Sequence, residues 1–296
     1  MNNSFNKIIC ADVLEGLKQV PDDSVSLIVT SPPYNLKIDY KNREDNQPYT
    51  EYLNWLKQIF LECNRTLKQG GRLAINIDAM TNRQDDKDQE YVRCIYAHLY
   101  NMMNEIGLLF RTEICWYKQN AVGRATAWGS YLSCSNPCIR RNHEYILVWS
   151  KGQWQLEGDS ELSDMTKDEF HQWTLSTWFI SPETRNRGNH PVPYPEELVR
   201  RLVKLFSYRN DSILDPFNGS GTTTAVAASL MRRYIGIDNV KEYCEYAERR
   251  TAKALSDQKQ LEIMDSYEPR SVRMQNEPSV EKIDEISILG IAKEEK

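Results

Sequence analysis

The stretch from Ser212 to Asn239, SILDPFNGSGTTTAVAASLMRRYIGIDN, decides the fold. Ser212 to Leu214 reads as a short strand, Asp215 to Gly221 as a glycine-containing turn, Thr222 to Met231 as an alanine-rich helix, and Tyr234 to Ile237 as a second strand. Val240 to about Ala254 continues as another helix. The pattern is a β-α-β unit with a sharp turn at the end of its first strand. Glycines there let backbone approach a ligand, and the helix N-terminus offers unpaired amides. The turn lacks both the three-glycine spacing of dinucleotide folds and the lysine of a Walker loop, which argues against nicotinamide and ATP. Asp238 ends the next strand, where a carboxylate can accept hydrogen bonds from both ribose hydroxyls. A nucleoside-bearing cofactor fits both features; a tight turn and a helix cap are the bland alternative.

Upstream, apolar β-branched runs alternate with helical periodicity, an α/β pattern without internal repeats. Strands are expected at Lys7 to Cys10, Ser24 to Thr30, Arg72 to Ile77, Leu108 to Tyr117 and His143 to Trp149. Helices are expected at about Asp12 to Val20, Tyr49 to Lys68 (stopped by Gly70-Gly71), Gln89 to Ile106 and Pro195 to Ser207. Residues 119–142 read as a polar loop, 153–170 as a surface insert or loop, and the chain after Ser256 as a linker and weakly ordered tail.

The formal charge of −5 on 296 residues is unevenly placed. Six acids against one lysine in residues 153–170 account for all of it, leaving the remainder neutral. Residues 108–151 carry six cations against two acids, interleaved with Trp116, Tyr117, Trp128, Tyr131 and Trp149. Cations among aromatics suit a phosphate backbone and splayed bases, although on this feature alone core aromatics under a solvated cationic face are the favoured reading. No apolar stretch approaches the roughly 20 residues of a membrane-spanning helix, and the N-terminus lacks the pattern of an export signal, so a cytoplasmic setting is expected. Seven scattered cysteines predict reduced thiols, and Cys134, Cys138 and His143 lack a fourth ligand for zinc, so no metal is expected.

Ser31-Pro32-Pro33-Tyr34 closes the second expected strand. The prolines stiffen a loop that presents a hydroxyl, carbonyls and an aromatic face. These groups can hold a planar base with an exocyclic amine: Ser31 and the Pro32 carbonyl accept its hydrogens, and Tyr34 stacks. Pro-Pro-Tyr alone is a weak signal. In combination, Thr30 to Asn35 resembles the catalytic motif, and Asp215 to Thr222 the cofactor motif, of the amino-methylating DNA methyltransferases that use S-adenosylmethionine. Their order is similar to the circularly permuted β class of that family. His143 to Lys151, His190 to Pro195 and Arg233 to Asp238 are also similar, and the resemblance spans about residues 5–255.

The resemblance implies a Rossmann-like, seven-stranded, mostly parallel sheet with helices on both faces and one reversed strand. It implies a catalytic domain over residues 1–256, with DNA-recognition segments at about 36–48, 119–142 and 152–189, and a polar tail at 257–296. Ser31, Pro32, Pro33 and Tyr34 would form the catalytic site. The cofactor would meet Asp12, Ser31, Pro32, His190, Pro191, Pro193, Asp215, Pro216, Phe217, Gly219, Ser220, Gly221, Thr222, Thr223 and Asp238. Asn35, Lys118, Arg124, Arg140, Arg141, Arg185 and Arg187 are the candidate contacts to double-stranded DNA. A cognate restriction endonuclease and a homodimer are the partners it allows. Ser31 stands where many adenine-methylating relatives carry Asp, which favours cytosine N4 over adenine N6. RNA or protein methylation and a non-catalytic DNA-binding module are the rival readings. Pro137-Cys138 superficially matches the nucleophile of cytosine C5 methyltransferases, but the motif order here is the reverse of theirs.

Overall fold

The computed structural model describes residues 4–35, 47–84, 90–118, 129–137, 139, 141–183 and 194–267. In chain order the strands are β1 (Lys7–Cys10), β2 (Val25–Thr30), β3 (Leu67–Ile77), β4 (Thr81–Gln84), β5 (Glu90–Arg93), β6 (Leu108–Tyr117), β7 (His143–Lys151), β8 (Thr177–Phe179), β9 (Ser212–Asp215) and β10 (Arg233–Asp238). The helices are α1 (Val13–Leu17), α2 (Tyr49–Thr66), α3 (Ile95–Ile106), α4 (Lys167–Trp173), α5 (Glu196–Phe206), α6 (Thr222–Ser229) and α7 (Lys241–Tyr267). Residues Met1–Asp257 form one compact unit and Gln258–Lys296 a second, of which the end of α7 is described.

The main sheet has eight strands in the order β1-β10-β9-β2-β3-β7-β6-β8. β7 runs antiparallel to both β3 and β6, and the other pairings are parallel. The reversed strand is therefore present, but the expected seven strands become eight, because Thr177–Phe179 adds to the free side of β6. Three residues carry too little periodicity to announce a strand. The buried Trp178, whose indole donates to the Trp173 carbonyl at 3.0 Å, holds it in place.

Both faces of the sheet are covered, and β2 shows why: every one of its side chains is buried. Ile28 enters the core beneath α1, α2 and α3, whereas Leu27 and Val29 enter the core beneath α5 and α6. Alternation along a strand buried on both sides produces a continuous apolar run.

Four expected boundaries move, the largest at α7, which, expected to end near Ala254 with a linker after Ser256, instead runs on as helix to Tyr267. Gly70-Gly71 does not stop α2, which ends at Thr66, its hydroxyl turned back to the Cys63 carbonyl at 2.9 Å. The glycines instead lie inside β3, where the register jumps from Val25↔Leu67 to Leu27↔Arg72. Gly70 has φ +72°, and a Cβ there would lie 1.9 Å from the Gln155 carbonyl oxygen, so glycine is required by the close approach of that chain. Glu90–Arg93, read as helical, pairs antiparallel with Thr81–Gln84, and α3 begins only at Ile95. α1 stops at Leu17, because Gln19 and Val20 donate to carbonyls three residues back and tighten the last turn.

The acidic segment is built, not loose. Thr166 and Glu169 form a capping box at the start of α4, and Glu169 also pairs with Lys204 of α5. Arg232, whose side chain is fully buried, makes a bidentate pair with Asp164 at 2.5 and 2.8 Å and donates to the Ser207 carbonyl at 2.8 Å. Burial opposes ionisation of Asp164, but the hydrogen bonds and charge of Arg232 outweigh it and hold the carboxyl below its ordinary range. Removing one partner leaves an uncompensated buried charge. Asp164→Ala is therefore expected to lower unfolding free energy by about 3–5 kcal/mol in urea titrations at neutral pH. Because the folded pKa is depressed, this contribution is present above the ordinary carboxylate pKa of about 4. It fades as pH falls through the lower folded value, so the wild-type and Asp164→Ala stabilities converge there.

Candidate active site and cofactor cleft

The chain leaving β2 returns through α2 to β3, on one side, while the chain leaving β9 returns through α6 to β10, on the other. The boundary between β2 and β9 is thus a topological switch point, where ligands enter open α/β sheets beyond the carboxyl ends of the strands. Ser31-Pro32-Pro33-Tyr34 follows β2, and the 215–221 turn follows β9. The two candidate motifs, almost two hundred residues apart in sequence, therefore stand side by side.

Asp215 joins them. Its buried carboxylate accepts from Thr30 Oγ1 (2.8 Å) and Phe217 N (3.0 Å) on one oxygen, and from Tyr194 Oη (2.8 Å) and Thr223 Oγ1 (2.7 Å) on the other. Burial pushes its pKa up, against the pull of these donors. A carboxylate has about four acceptor positions, and here all are used inside the protein. Asp215 and Thr223, expected to surround the cofactor, therefore shape the turn without side-chain capacity to bind it. The Thr222 hydroxyl accepts from Arg250 Nη1 at 2.9 Å, and the same nitrogen donates to the Ser220 carbonyl at 3.1 Å. Arg250 Nη2 also pairs with Glu196 of α5 at 2.6 Å. This arginine on α7 was not singled out in the sequence, where it is one cation on a polar helix.

Asp238 behaves differently. Gly219 N donates to its Oδ2 and Val240 N to its Oδ1, both at 2.9 Å, and the Asn239 amide is also engaged. With three backbone donors on a carboxylate that has about four acceptor positions, about one position remains. Burial raises its pKa, the Val240 and Gly219 amides oppose the shift, and the Asp215 charge adds to it. Asp12, at the same sheet edge, caps α1 by accepting from Leu14 N at 2.9 Å. In the turn, Pro216 and Gly219 are buried, and Asn218 Nδ2 is a buried donor with no partner among the described residues. The Phe217 ring lies 5.6 Å from that of Trp55, which α2 brings to the cleft and the sequence reading missed. A buried donor without a partner among the described residues, a carboxylate with an acceptor position to spare and two half-buried aromatics fit a ligand with a carboxylate, a ribose and a planar base.

In the catalytic tetrapeptide, Ser31 Oγ and Tyr34 Oη are 3.3 Å apart, and Tyr34 Oη reaches the Asn76 carbonyl at 3.4 Å. The Pro33 carbonyl accepts from Tyr52 Oη at 2.8 Å, which fixes the loop from beneath. No described group donates to the Pro32 carbonyl. Ser31 and Tyr34 are half-buried at the sheet edge.

Three of the expected DNA contacts have other tasks. Asn35, buried at φ +56°, donates to the Gln47 carbonyl at 2.9 Å and accepts from Gln47 N at 2.8 Å, clasping together the ends of segment 36–46. Lys118 pairs with the buried Glu144, and Arg141 with Asp78 at 3.1 Å. These amide and charge groups are used internally because they sit at the necks of the loops, not at their tips. Arg124, Arg140, Arg185, Arg187, His190, Pro191 and Pro193 lie outside the described residues.

A family model described as DNA methylase matches residues 25–249, and the chain belongs to that N6/N4 methylase family. A type II methyltransferase of Methanocaldococcus jannaschii, M.MjaVI, is 39% identical over 166 residues, covering 56% of this chain and 81% of its own. The DNA adenine methyltransferase YhdJ of Escherichia coli is 27% identical over 259 residues, covering 84% and 83%. A putative DNA modification methylase of Thermus thermophilus, TTHA0409, solved with S-adenosylmethionine, superposes with a TM-score of 0.68 at 29% identity, covering 84% and 94%. The protein is a DNA methyltransferase of the N4/N6 class with the S-adenosylmethionine-dependent fold, and S-adenosylmethionine is its cofactor.

Asp238→Ala is expected to weaken S-adenosylmethionine binding about 10- to 100-fold in calorimetry, the worth of a charge-assisted hydrogen bond. Arg250→Met, which frees the Ser220 carbonyl and Thr222 hydroxyl of their clamp, is expected to weaken it about tenfold in the same titration, with the melting temperature also lowered.

Proposed function

We propose that the protein transfers methyl groups to the N4 amine of cytosine in double-stranded DNA, at a specific sequence. The observation that carries this reading is the unclaimed Pro32 carbonyl beside the Ser31 hydroxyl, at the strand end adjoining the cofactor turn. An aromatic amine is a poor nucleophile because its lone pair is conjugated into the ring. Acceptors at Ser31 and Pro32 receive hydrogen bonds from its two N–H groups, favour pyramidalisation and localise that pair, which would form the N–C bond as the S–C bond breaks to leave a neutral thioether, one amine proton then passing to water. When bound, S-adenosylmethionine supplies an electrophilic methyl on a sulfonium. The chain contributes position: the Tyr52 bond to Pro33 and the Asp215 bonds to Thr30 and Phe217 hold acceptor and cofactor loops in register for in-line transfer. Extruding the base costs a few kcal/mol, which stacking on Tyr34 and backbone contacts offset.

Ser31 is the reason for choosing cytosine. Its hydroxyl can accept from the amine while its own proton turns to a ring acceptor such as N3, whereas an ionised Asp can only accept. Adenine N6 is the second reading, supported by the likeness to an enzyme named for adenine. Residues 1–256 are the catalytic domain in this reading, with segments 36–48 and 119–142 toward DNA and the tail outside it; of the third expected segment, 152–189, residues 154–164 pack instead at the opposite end of the sheet, where Gln155 lies against Gly70 and Asp164 pairs with Arg232 at the start of β10. The type II relative supports a restriction-modification setting in the cytoplasm, with an endonuclease of the same specificity as partner.

Mass spectrometry of nucleosides from treated DNA, with single-molecule sequencing to place the mark, is expected to find N4-methylcytosine. N6-methyladenine alone overturns the target and leaves the amino-transfer chemistry standing. Ser31→Ala is expected to slow single-turnover methylation by up to about a hundredfold with S-adenosylmethionine affinity preserved, as for loss of one preorganised polar contact.

A further inference from the structure

Between β6 and β7, residues 129–137 form a turn in which no side chain from Tyr131 to Pro137 is buried. Among the described residues, hydrogen bonds within the turn give it shape. Ser130 N donates to the Asn136 carbonyl at 2.8 Å, Ser130 Oγ donates to the Ser133 carbonyl and accepts from Asn136 N, both at 2.8 Å, and Gly129 bridges Pro137. Ser133 Oγ in turn donates to Ser135 Oγ at 3.1 Å and accepts from Ser135 N at 3.2 Å. At the tip stands Leu132, with φ +55°, a conformation that side chains rarely adopt. Leu132 is 90% exposed, Tyr131 beside it 69% and Ile139 84%. The turn thus holds a strained leucine rigidly out in water, and strain of this kind persists where function requires it.

The neck of the same loop is fastened to the catalytic edge. Lys118 N donates to the Asn142 carbonyl at 2.8 Å, Glu144 receives both Lys118 and, at 2.7 Å, Asn76 Nδ2, and Arg141 pairs with Asp78 just beyond β3. β3 is the hydrogen-bonded neighbour of β2, with Ile75 opposite Thr30, so this edge continues directly to Ser31.

We propose that Leu132 is the wedge that enters the double helix where the target base leaves the stack. The inference rests on the amino-methylation reading, because a base drawn to Ser31 and Tyr34 opens a gap between its former neighbours. A rigid apolar side chain fills such a gap and replaces the lost stacking. The held turn gives Leu132 this capacity without an ordering cost at the moment of binding.

The test uses the full chain and a duplex oligonucleotide bearing the methylated site located by sequencing, with 2-aminopurine next to the target base. Wild-type protein with S-adenosylmethionine is expected to raise the fluorescence, as unstacking does. Leu132→Gly should abolish most of that rise and slow single-turnover methylation about tenfold or more. Glycine accepts positive φ freely, so the melting temperature should be unchanged or higher, which a structural role for Leu132 would not allow. A duplex with an abasic position opposite the target, where the base is already unpaired, should restore the rate of the variant to within about threefold of wild type. Wild-type fluorescence and rate in both Leu132→Gly and Leu132→Ala overturn the wedge alone, as does a defect that the abasic duplex fails to rescue. Wild-type protein that methylates no DNA overturns the amino-methylation reading and the wedge with it.

Discussion

The buried carboxylate of Asp215 is the constraint on which the rest of the cleft depends. Taking an ionised group out of water is costly unless its acceptor positions are filled. Here they are filled from four parts of the chain: Thr30 at the end of β2, Phe217 in the turn, Thr223 in α6 and Tyr194 just before α5. Each donor fixes the position of an element that borders the site. The energetics of burial and the geometry of catalysis are thus the same arrangement, since a loop that shifted to leave one oxygen unpaired would be penalised directly.

A second layer supports this one. Arg250 spans from α7 to the turn and to Glu196 of α5, Tyr52 grips Pro33 from α2, and Asn35 and Gln47 close the base of the adjoining segment. Arg250 and Tyr52 come from helices outside the short motifs, whereas Asn35 closes the catalytic motif itself. The motifs supply reactive groups and turns; long side chains from elsewhere hold them still. Preorganisation of that kind is what transfer between two bound molecules demands, because the reacting atoms must align before the barrier is crossed.

The sequence was legible where local chemistry leaves little choice. The β9-turn-α6-β10 unit could be read because its strands are short apolar runs, its turn needs positive φ at Gly219 and Gly221, and its helix is alanine-rich. Prolines after Thr30 likewise announced a stiff strand end. Legibility failed where long-range pairing overrode local pattern. Glu90–Arg93 has helical spacing yet forms a ladder with Thr81–Gln84, and Gly70-Gly71 looks like a helix stop until the carbonyl of Gln155 is seen to need the space. The acidic segment shows no period because Arg232 and Lys204, distant in sequence, organise it through charge.

By itself, the sequence determined the α/β class, the two motifs and their order, and hence the family and its cofactor. These follow from residue type and spacing, which act over a few positions. Only the tertiary structure decided which of those residues are committed to partners within the protein. Asp215, Thr222, Thr223, Asn35, Lys118 and Arg141 all carry groups suited to binding, yet folding commits them to one another or to the backbone. Asp238, Ser31 and the Pro32 carbonyl keep open capacity at the same edge. The physical reason is that a hydrogen-bonding group has a fixed number of positions, and whether they are filled depends on neighbours that the fold, not the local sequence, brings within three ångströms.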